Sequence, residues 1–314
     1  MIGLGRIRTD RTILIGILAA GVTVVAASGW QIATRLGAST TLAPLDLALF
    51  RYGVPALLLS PVLMRHGVLP KAVGWRTLVV IIVGAGFPFG LATMAGAQYA
   101  PAAHMGALLP GAMPLFVALL SFIVLRERFS PARLVGFGIV ILGILPIVGP
   151  ALSEPANGAW RGHMLFLFAG ALWAVYTVVY RRSGLPPWHT AALICFWSSL
   201  MAVPVWAASG VSRLSAAPLM DIFVQFAVQG VFAGVIGLAA YGIAIRNLGA
   251  SLAATSGALV PACTAIGGVF ILAEPVDGLA ILGVAMTMIG VVLAAGALNL
   301  RQLSPRPSQS GSLG

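Results

Sequence analysis

The chain has 314 residues, of which 8% are charged and 60% are Ala, Val, Ile, Leu, Met, Phe, Trp, Tyr or Cys; 18 Lys and Arg outnumber 7 Asp and Glu, a net charge of +11. A water-soluble surface needs about a quarter of its residues charged, and a nucleic-acid binder gathers its basic residues into one patch, whereas here they fall singly between long apolar runs. A soluble domain, a nucleic-acid binder, a disordered chain and a secreted disulfide scaffold are excluded, and a polytopic protein with the lipid bilayer as its surroundings is left.

Crossing a hydrocarbon core of about 30 Å takes about 20 apolar residues, so the charges punctuate the spans. After a short basic segment, 1–11, the first span is 12–34. Its basic start, apolar run and Ala26-Ala27-Ser28 have the pattern of a cleavable signal, but cleavage would leave an odd number of spans and spoil the charge bias described below, so an uncleaved helix is expected. Residues 36–64 form the second span, apolar apart from Asp46 and Arg51. Residues 77–125 would extend about 73 Å as one helix, and Pro101 divides them into a third and a fourth span. Stretches 134–153, 162–180, 183–212, 222–245, 247–273 and 278–300 complete a predicted all-α bundle of ten transmembrane helices. The Ser-, Pro- and Gly-rich end, within 301–314, is expected to be a disordered cytoplasmic tail.

An even number of spans places both termini on one side. With the N-terminus inside, 14 of the 18 Lys and Arg fall on the cytoplasmic face, while Arg35, Arg161 and Arg213 stay in outer loops and Arg51 within a span. Cytoplasmic loops carry the Lys and Arg excess, so N-in and C-in is the predicted topology.

Sliding the chain on itself by 147 residues aligns Pro114 with Pro261, Leu125 with Leu272, Glu127 with Glu274, Gly136 with Gly283 and Gly143 with Gly290 without a gap. The same offset sets Ser130 opposite Asp277, both credible N-caps. Each half then holds five spans, 12–150 and 162–300, joined by a linker at 151–161. Five is odd, so the second half enters the membrane inverted. The charges agree: Arg126, Arg128 and Arg133 surround Glu127, whereas no Lys or Arg accompanies Glu274 to Gly278. Inverted halves about a pseudo-two-fold axis are the architecture of many secondary transporters, with a site near the midplane exposed alternately to each side.

The run Ala97-Gln98-Tyr99-Ala100 through Pro114 to Leu125-Arg126-Glu127, Gly136 and Gly143 returns from Ala244 through Pro261 to Leu272-Ala273-Glu274, Gly283 and Gly290. In two copies covering nearly the whole chain, it resembles the drug/metabolite transporter superfamily, specifically its ten-helix EamA-type members. The resemblance implies a bundle exporting small metabolites, with a central cavity lined by the first four helices of each half and each fifth helix at the periphery. A departure from the pattern is Pro110, four residues before Pro114.

Several side chains could carry transport. Glu127 and Glu274 sit three residues ahead of an N-cap, where a carboxylate satisfies free helix amides; that reading is preferred to proton carriage. Arg51, several residues inside the second helix, needs a reason to be there: it snorkels, pairs with Asp46, caps a neighbouring helix or meets an anionic substrate group, and the pair Arg51 and Asp46 is read as a gate or charge anchor. His104 is the best proton-coupling candidate because its ordinary pKa lies near neutrality, although a histidine bonded to a neighbouring helix is the commoner case; His66, His163 and His189 are read as interfacial. Trp173, Tyr176, Thr177 and Tyr180 recur on one face of the sixth helix; the first three are assigned to the cavity, with an interfacial aromatic belt as the competing reading. Gln225 and Gln229, Phe87, Met94 and Gln98, Trp30 and His104 itself are further cavity candidates. Gly86 with Gly90, and Gly230 with Gly234, are spaced for close helix approach, and Pro88, Pro110, Pro114 and Pro261 are candidate hinges.

Cys195 and Cys263 lie in apolar spans and are read as small core residues. There is no metal-ligand spacing, cofactor motif or ATP-binding loop, so no metal and no cofactor are expected and a gradient must supply the energy. The favoured reading is a secondary transporter of the bacterial cytoplasmic (inner) membrane exporting small organic metabolites, amino acids or related amphipathic compounds by resemblance. Efflux of cationic or aromatic drugs is the alternative, and an intramembrane lipid-modifying enzyme a remote one, because it would need clustered acids, a metal set or a nucleophile with its base. A homodimer through the fifth and tenth helices is compatible with the arrangement.

Overall fold

The computed structural model describes residues 3–248 and 256–295. The predicted tail at 301–314, residues 296–300 and the 249–255 part of the ninth span lie outside them. Ten principal helical segments follow in the described residues: α1 (Gly3–Ser39), α2 (Pro44–Leu58, continuing after a 55° bend as Ser60–His66), α3 (Trp75–Gly96), α4 (Ala102–Val124) and α5 (Pro131–Ser153). The second set is α6 (Ala159–Ser183), α7 (Pro187–Ser209), α8 (Leu219–Leu248), α9 (Gly257–Leu272) and α10 (Gly278–Ala294). Seven, α1 and α3 to α8, are long and apolar enough to cross a membrane; bent α2 makes an eighth, and α9 and α10 are apolar but shorter.

The repeat is written into the backbone. Arg126 and Ala273, 147 residues apart, are the two non-glycine residues with left-handed φ among the described residues, 53° and 52°. Each reverses the chain at the end of its helix. The next amide, of Glu127 or Glu274, then returns to a carbonyl six residues back, Ser121 at 3.3 Å or Gly268 at 3.1 Å. A left-handed residue after the helix, returning amides to its last carbonyls, is a common C-terminal cap, here one residue wider than the usual turn. Ser130 and Asp277 occupy the following N-caps; Asp277 accepts the Ala280 amide at 2.7 Å, whereas Ser130 makes no side-chain cap bond.

The last helices of the two halves, α5 and α10, meet along a glycine seam, while α1, α3 and α4 also pack on α6, α8 and α9. A Cβ at Gly136 would lie 2.8 Å from the Gly290 carbonyl oxygen, and one at Gly143 would lie 3.0 Å from that of Gly283. Because 136 pairs with 290 and 143 with 283, the helices run antiparallel and exchange equivalent positions, the relation a two-fold axis imposes on a self-complementary interface. The periphery expected of the fifth helices is thus shared: their glycine faces cover each other, while Ile141, Leu142, Ile281 and Leu282 remain exposed.

The four predicted hinges do not all behave alike. Pro110 and Pro114 lie inside α4, which continues through both. α3 does break, at Gly86 just before Phe87 and Pro88, with φ −98° and ψ −141°. The Phe87 amide turns to the Ser198 hydroxyl of α7 at 2.9 Å, and the Tyr52 hydroxyl donates to the Gly86 carbonyl at 2.6 Å. Irregular backbone in a bundle core persists because neighbouring side chains satisfy it. Pro261 sits in the first turn of regular α-helix in α9.

Candidate substrate cavity

α2 places the deepest charge. Its middle widens into a π-helical turn at Leu49–Gly53, a geometry frequent at functional sites. The residues after Arg51 press into slots made by the spaced glycines. A Cβ at Gly90 of α3 would come within 2.2 Å of the Tyr52 hydroxyl, and ones at Gly230 and Gly234 of α8 within 2.6 Å of Val54 and 2.5 Å of Pro55. These contacts fix the register of α2 and with it the direction of Arg51.

Arg51 stacks its guanidinium 4.9 Å from the centre of the Trp30 ring, and its Nη1 is buried without a hydrogen-bond partner. From Trp30 the aromatic rings continue as a ladder: Phe89 at 6.1 Å, Trp173 a further 5.0 Å, Tyr176 5.2 Å, then Tyr180 stacked at 5.4 Å. α6 can carry these rings close to α3 because Gly84 meets it without a side chain, where a Cβ would lie 2.7 Å from that of Tyr176.

Beside the ladder lies a cavity of about 580 Å³, bounded by Arg51 and Tyr52, by Trp173, Tyr176 and Tyr180, by the α7 face from Pro187 to Cys195, and by the α8 face from Gly234 to Arg246. It extends from Arg51 toward Tyr180, Pro187 and Arg246, at the end of the bundle that also carries Glu127. Among the residues that line it the charged ones are both arginines. The walls are apolar and aromatic, and the polar anchor is a guanidinium whose planar fork matches a carboxylate.

Asp46 does not join Arg51. It is buried, and its carboxylate accepts the Ala43 and Arg213 amides at 3.0 and 2.9 Å, the Trp206 indole N–H at 2.8 Å and the Ser212 hydroxyl at 2.7 Å. It clamps the start of α2 to the chain leaving α7. Of the other sequence-selected residues, Trp30 backs Arg51, Phe87 lies buried at the α3 break, Met94 is fully buried and Gln98 is exposed after α3. Thr177 bonds back to the Trp173 carbonyl at 2.8 Å. Gln225 donates to the Ala33 carbonyl at 2.8 Å, and Gln229 to Gln225 at 3.0 Å and Thr34 at 3.3 Å, so both tie α8 to α1. None of these seven lines the cavity, and neither does His104.

His104 of α4 meets His163 of α6 across the two halves, Nδ1 to Nε2 at 2.9 Å. His163 is fully buried, which corrects its reading as interfacial; His189, also buried, bonds the Gly67 carbonyl at 2.8 Å. Glu274 does satisfy a helix amide, but that of Ala102 at the start of α4 rather than of α10, at 2.8 Å. Its other oxygen pairs with Arg35 of α1 at 2.6 Å, and Arg35 also bonds the Ala97 carbonyl at 2.6 Å. Glu274 and Glu127 thus mark opposite ends of the bundle, one at each end of α4. Tyr52, Tyr241 and Trp188 also line the cavity, although their immediate sequence setting does not single them out. Tyr241 could have been found by following Gly234 and Leu238 along one α8 stripe.

A polytopic helical protein built of two copies of one unit, with an amphipathic cavity between them, belongs to the membrane transporters. The EamA-like transporter family model matches the chain twice, at residues 14–149 and 160–296. The chain belongs to the EamA-like transporter family and is an integral, multi-pass membrane protein. Relatives include the uncharacterized transporter YyaM of Bacillus subtilis, 26% identical over 82% of this chain and 86% of its own. The uncharacterized protein PA1977 of Pseudomonas aeruginosa is 28% identical over 84% and 88%, and an uncharacterized transporter of Archaeoglobus fulgidus 22% over 80% and 88%. A crystal structure of 18% identity superposes over 94% of this chain and 99% of that one with a TM-score of 0.58, a likeness of fold.

Proposed function

We propose that the protein exports small amphipathic metabolites bearing a carboxylate, amino acids or related compounds, across the bacterial cytoplasmic membrane by alternating access. The observation that carries this reading is the aromatic cavity with Arg51 at its depth and no Asp or Glu in its lining. A carboxylate there meets two guanidinium N–H groups, and an apolar side chain lies along Trp173, Tyr176 and Tyr180. A cationic drug would face two arginines, which disfavours the cationic alternative.

In the proposed topology α2 counts as one bent span and the shorter α9 and α10 also cross, making ten, with both termini in the cytoplasm. The Glu127 end, with its basic loops, is then cytoplasmic and the cavity is open to the substrate pool, while Glu274 with Arg35 closes the outer end. Proton coupling is assigned to His104 with His163. Two imidazoles 2.9 Å apart need one donor and one acceptor, and a pair in which both rings carry two protons has only donors. Uptake of the second proton therefore parts α4 from α6, one half from the other. Asp277, Glu274 and Arg35 are charged groups that act on His104.

The test is untargeted mass spectrometry of medium from cells making the wild type or Trp173→Ala at equal membrane abundance. Carboxylate-bearing metabolites accumulating outside with the wild type alone support the reading. Profiles that both match an empty-vector control overturn export.

A further inference from the structure

The Arg35–Glu274 pair joins the two halves at one end of the bundle, and the repeat supplies its counterpart at the other. Adding 147 to Arg35 gives Arg182, and subtracting 147 from Glu274 gives Glu127, so both charges are duplicated with their signs. The carbonyl that Arg35 engages, of Ala97, maps onto Ala244. Glu127 also has the backbone setting of Glu274: a left-handed residue before it and an amide bonded six residues back.

The two ends nevertheless differ in state. Arg35 and Glu274 are paired and largely buried, at 17% and 14% side-chain exposure, and α1 stays against α9 from the Ser28 bond to Val260 through Ile32 at Gly267 to that pair. Arg182 is exposed, and Glu127 and Arg182 form no ion pair. The cavity reaches the end where the pair is unmade.

We propose that Glu127 and Arg182 are the inner gate, an ion pair made when the bundle closes at the Glu127 end and opens at the Glu274 end. Each pair would then be whole in one state and broken in the other, and exchange of one for the other would hold the two states close in free energy. These are positioning residues, and the inference rests on the alternating-access reading.

The test uses the full chain in lipid nanodiscs with Cys195 and Cys263 replaced by Ser and spin labels at Arg128→Cys and Arg181→Cys, both exposed positions. Pulsed electron resonance reads the distance between the halves at the Glu127 end. Glu274→Gln should add a shorter-distance population. Glu127→Gln or Arg182→Gln in that background should reduce its ratio to the longer one about two- to five-fold, the weight of an exposed ion pair, and the swap Glu127→Arg with Arg182→Glu should restore it. A shorter population indifferent to Glu127, Arg182 and their swap overturns the gate and leaves alternating access standing. No shorter population in any variant overturns both.

Discussion

Arg51 keeps a charge at a depth where insertion scales assign arginine a cost of about 2.5 to 3.5 kcal/mol, and the Trp30 face offsets part of it. Its unpartnered Nη1 is a donor waiting for an acceptor. Arg51→Gln should therefore weaken binding of a carboxylate substrate at least about ten-fold, since a hydrogen bond to a charged group contributes about 1.5 to 3 kcal/mol. Arg51→Lys, which keeps charge but loses the planar fork, should recover part of it; titration followed by tryptophan fluorescence measures both. Asp46 has the opposite signature. Asp46→Ala leaves buried donors unpaired and should cost about 3 kcal/mol or more, read as a lower unfolding temperature with the exported compounds unchanged.

These residues also mark how far sequence reaches. Trp173 and Tyr176 were legible because a helical period put them on one face away from the membrane edges. Asp46 was not, because its donors Trp206 and Ser212 come from a segment 160 or more residues away. His163 follows Arg161 and Gly162, a polar neighbourhood that reads as a membrane edge, and contact with His104 is what buries it. The glutamines of α8 looked like cavity anchors because buried amides need partners, but their partners are α1 carbonyl and hydroxyl groups.

At the level of the helix, charge punctuation found the segments since charge is excluded from the hydrocarbon core. Charge punctuation does not mark the break in α3, which lies within an unbroken apolar run; the candidate hinge Pro88 falls just after it, but no local signal reports that Tyr52 and Ser198 satisfy the freed groups. The glycine spacing in α5 and α10 was legible as a repeat; its meaning came with the packing. A side chain at Gly290 would lie 2.6 Å from Val140 Cγ2 and 2.7 Å from its amide nitrogen, whereas Gly138 has nothing within 4 Å. Gly290→Val should cost about 1 to 3 kcal/mol by overpacking, and Gly138→Val less than about 0.5, as compared by thermal unfolding in one detergent.

For the molecule as a whole, inversion was expected from arithmetic, because a unit of odd span number cannot repeat in the same orientation, and the antiparallel pairing of α5 with α10 has the same sense. The contact between the imidazoles of α4 and α6, on which the proposed proton coupling rests, was less visible. In proteoliposomes an imposed pH gradient should drive wild-type transport, and His104→Ala or His163→Ala should remove that dependence. Dependence kept in both variants would move the proton elsewhere.

The glycine seam carries one more consequence, for ancestry and assembly. An interface in which position 136 meets 290 and 143 meets 283 is what a single five-helix protein inserted in both orientations would form with its own copy. The covalent join between Ser153 and Ala159 then adds proximity and fixed stoichiometry, not recognition. Residues 1–153 and 159–314, made as separate polypeptides in one cell, should find each other through α5 with α10, α1 with α8 and α9, and α4 with α6, and co-purify as a one-to-one complex. Gly136→Val in the first fragment should lower that recovery about ten-fold, since overpacking costs about 1 to 3 kcal/mol.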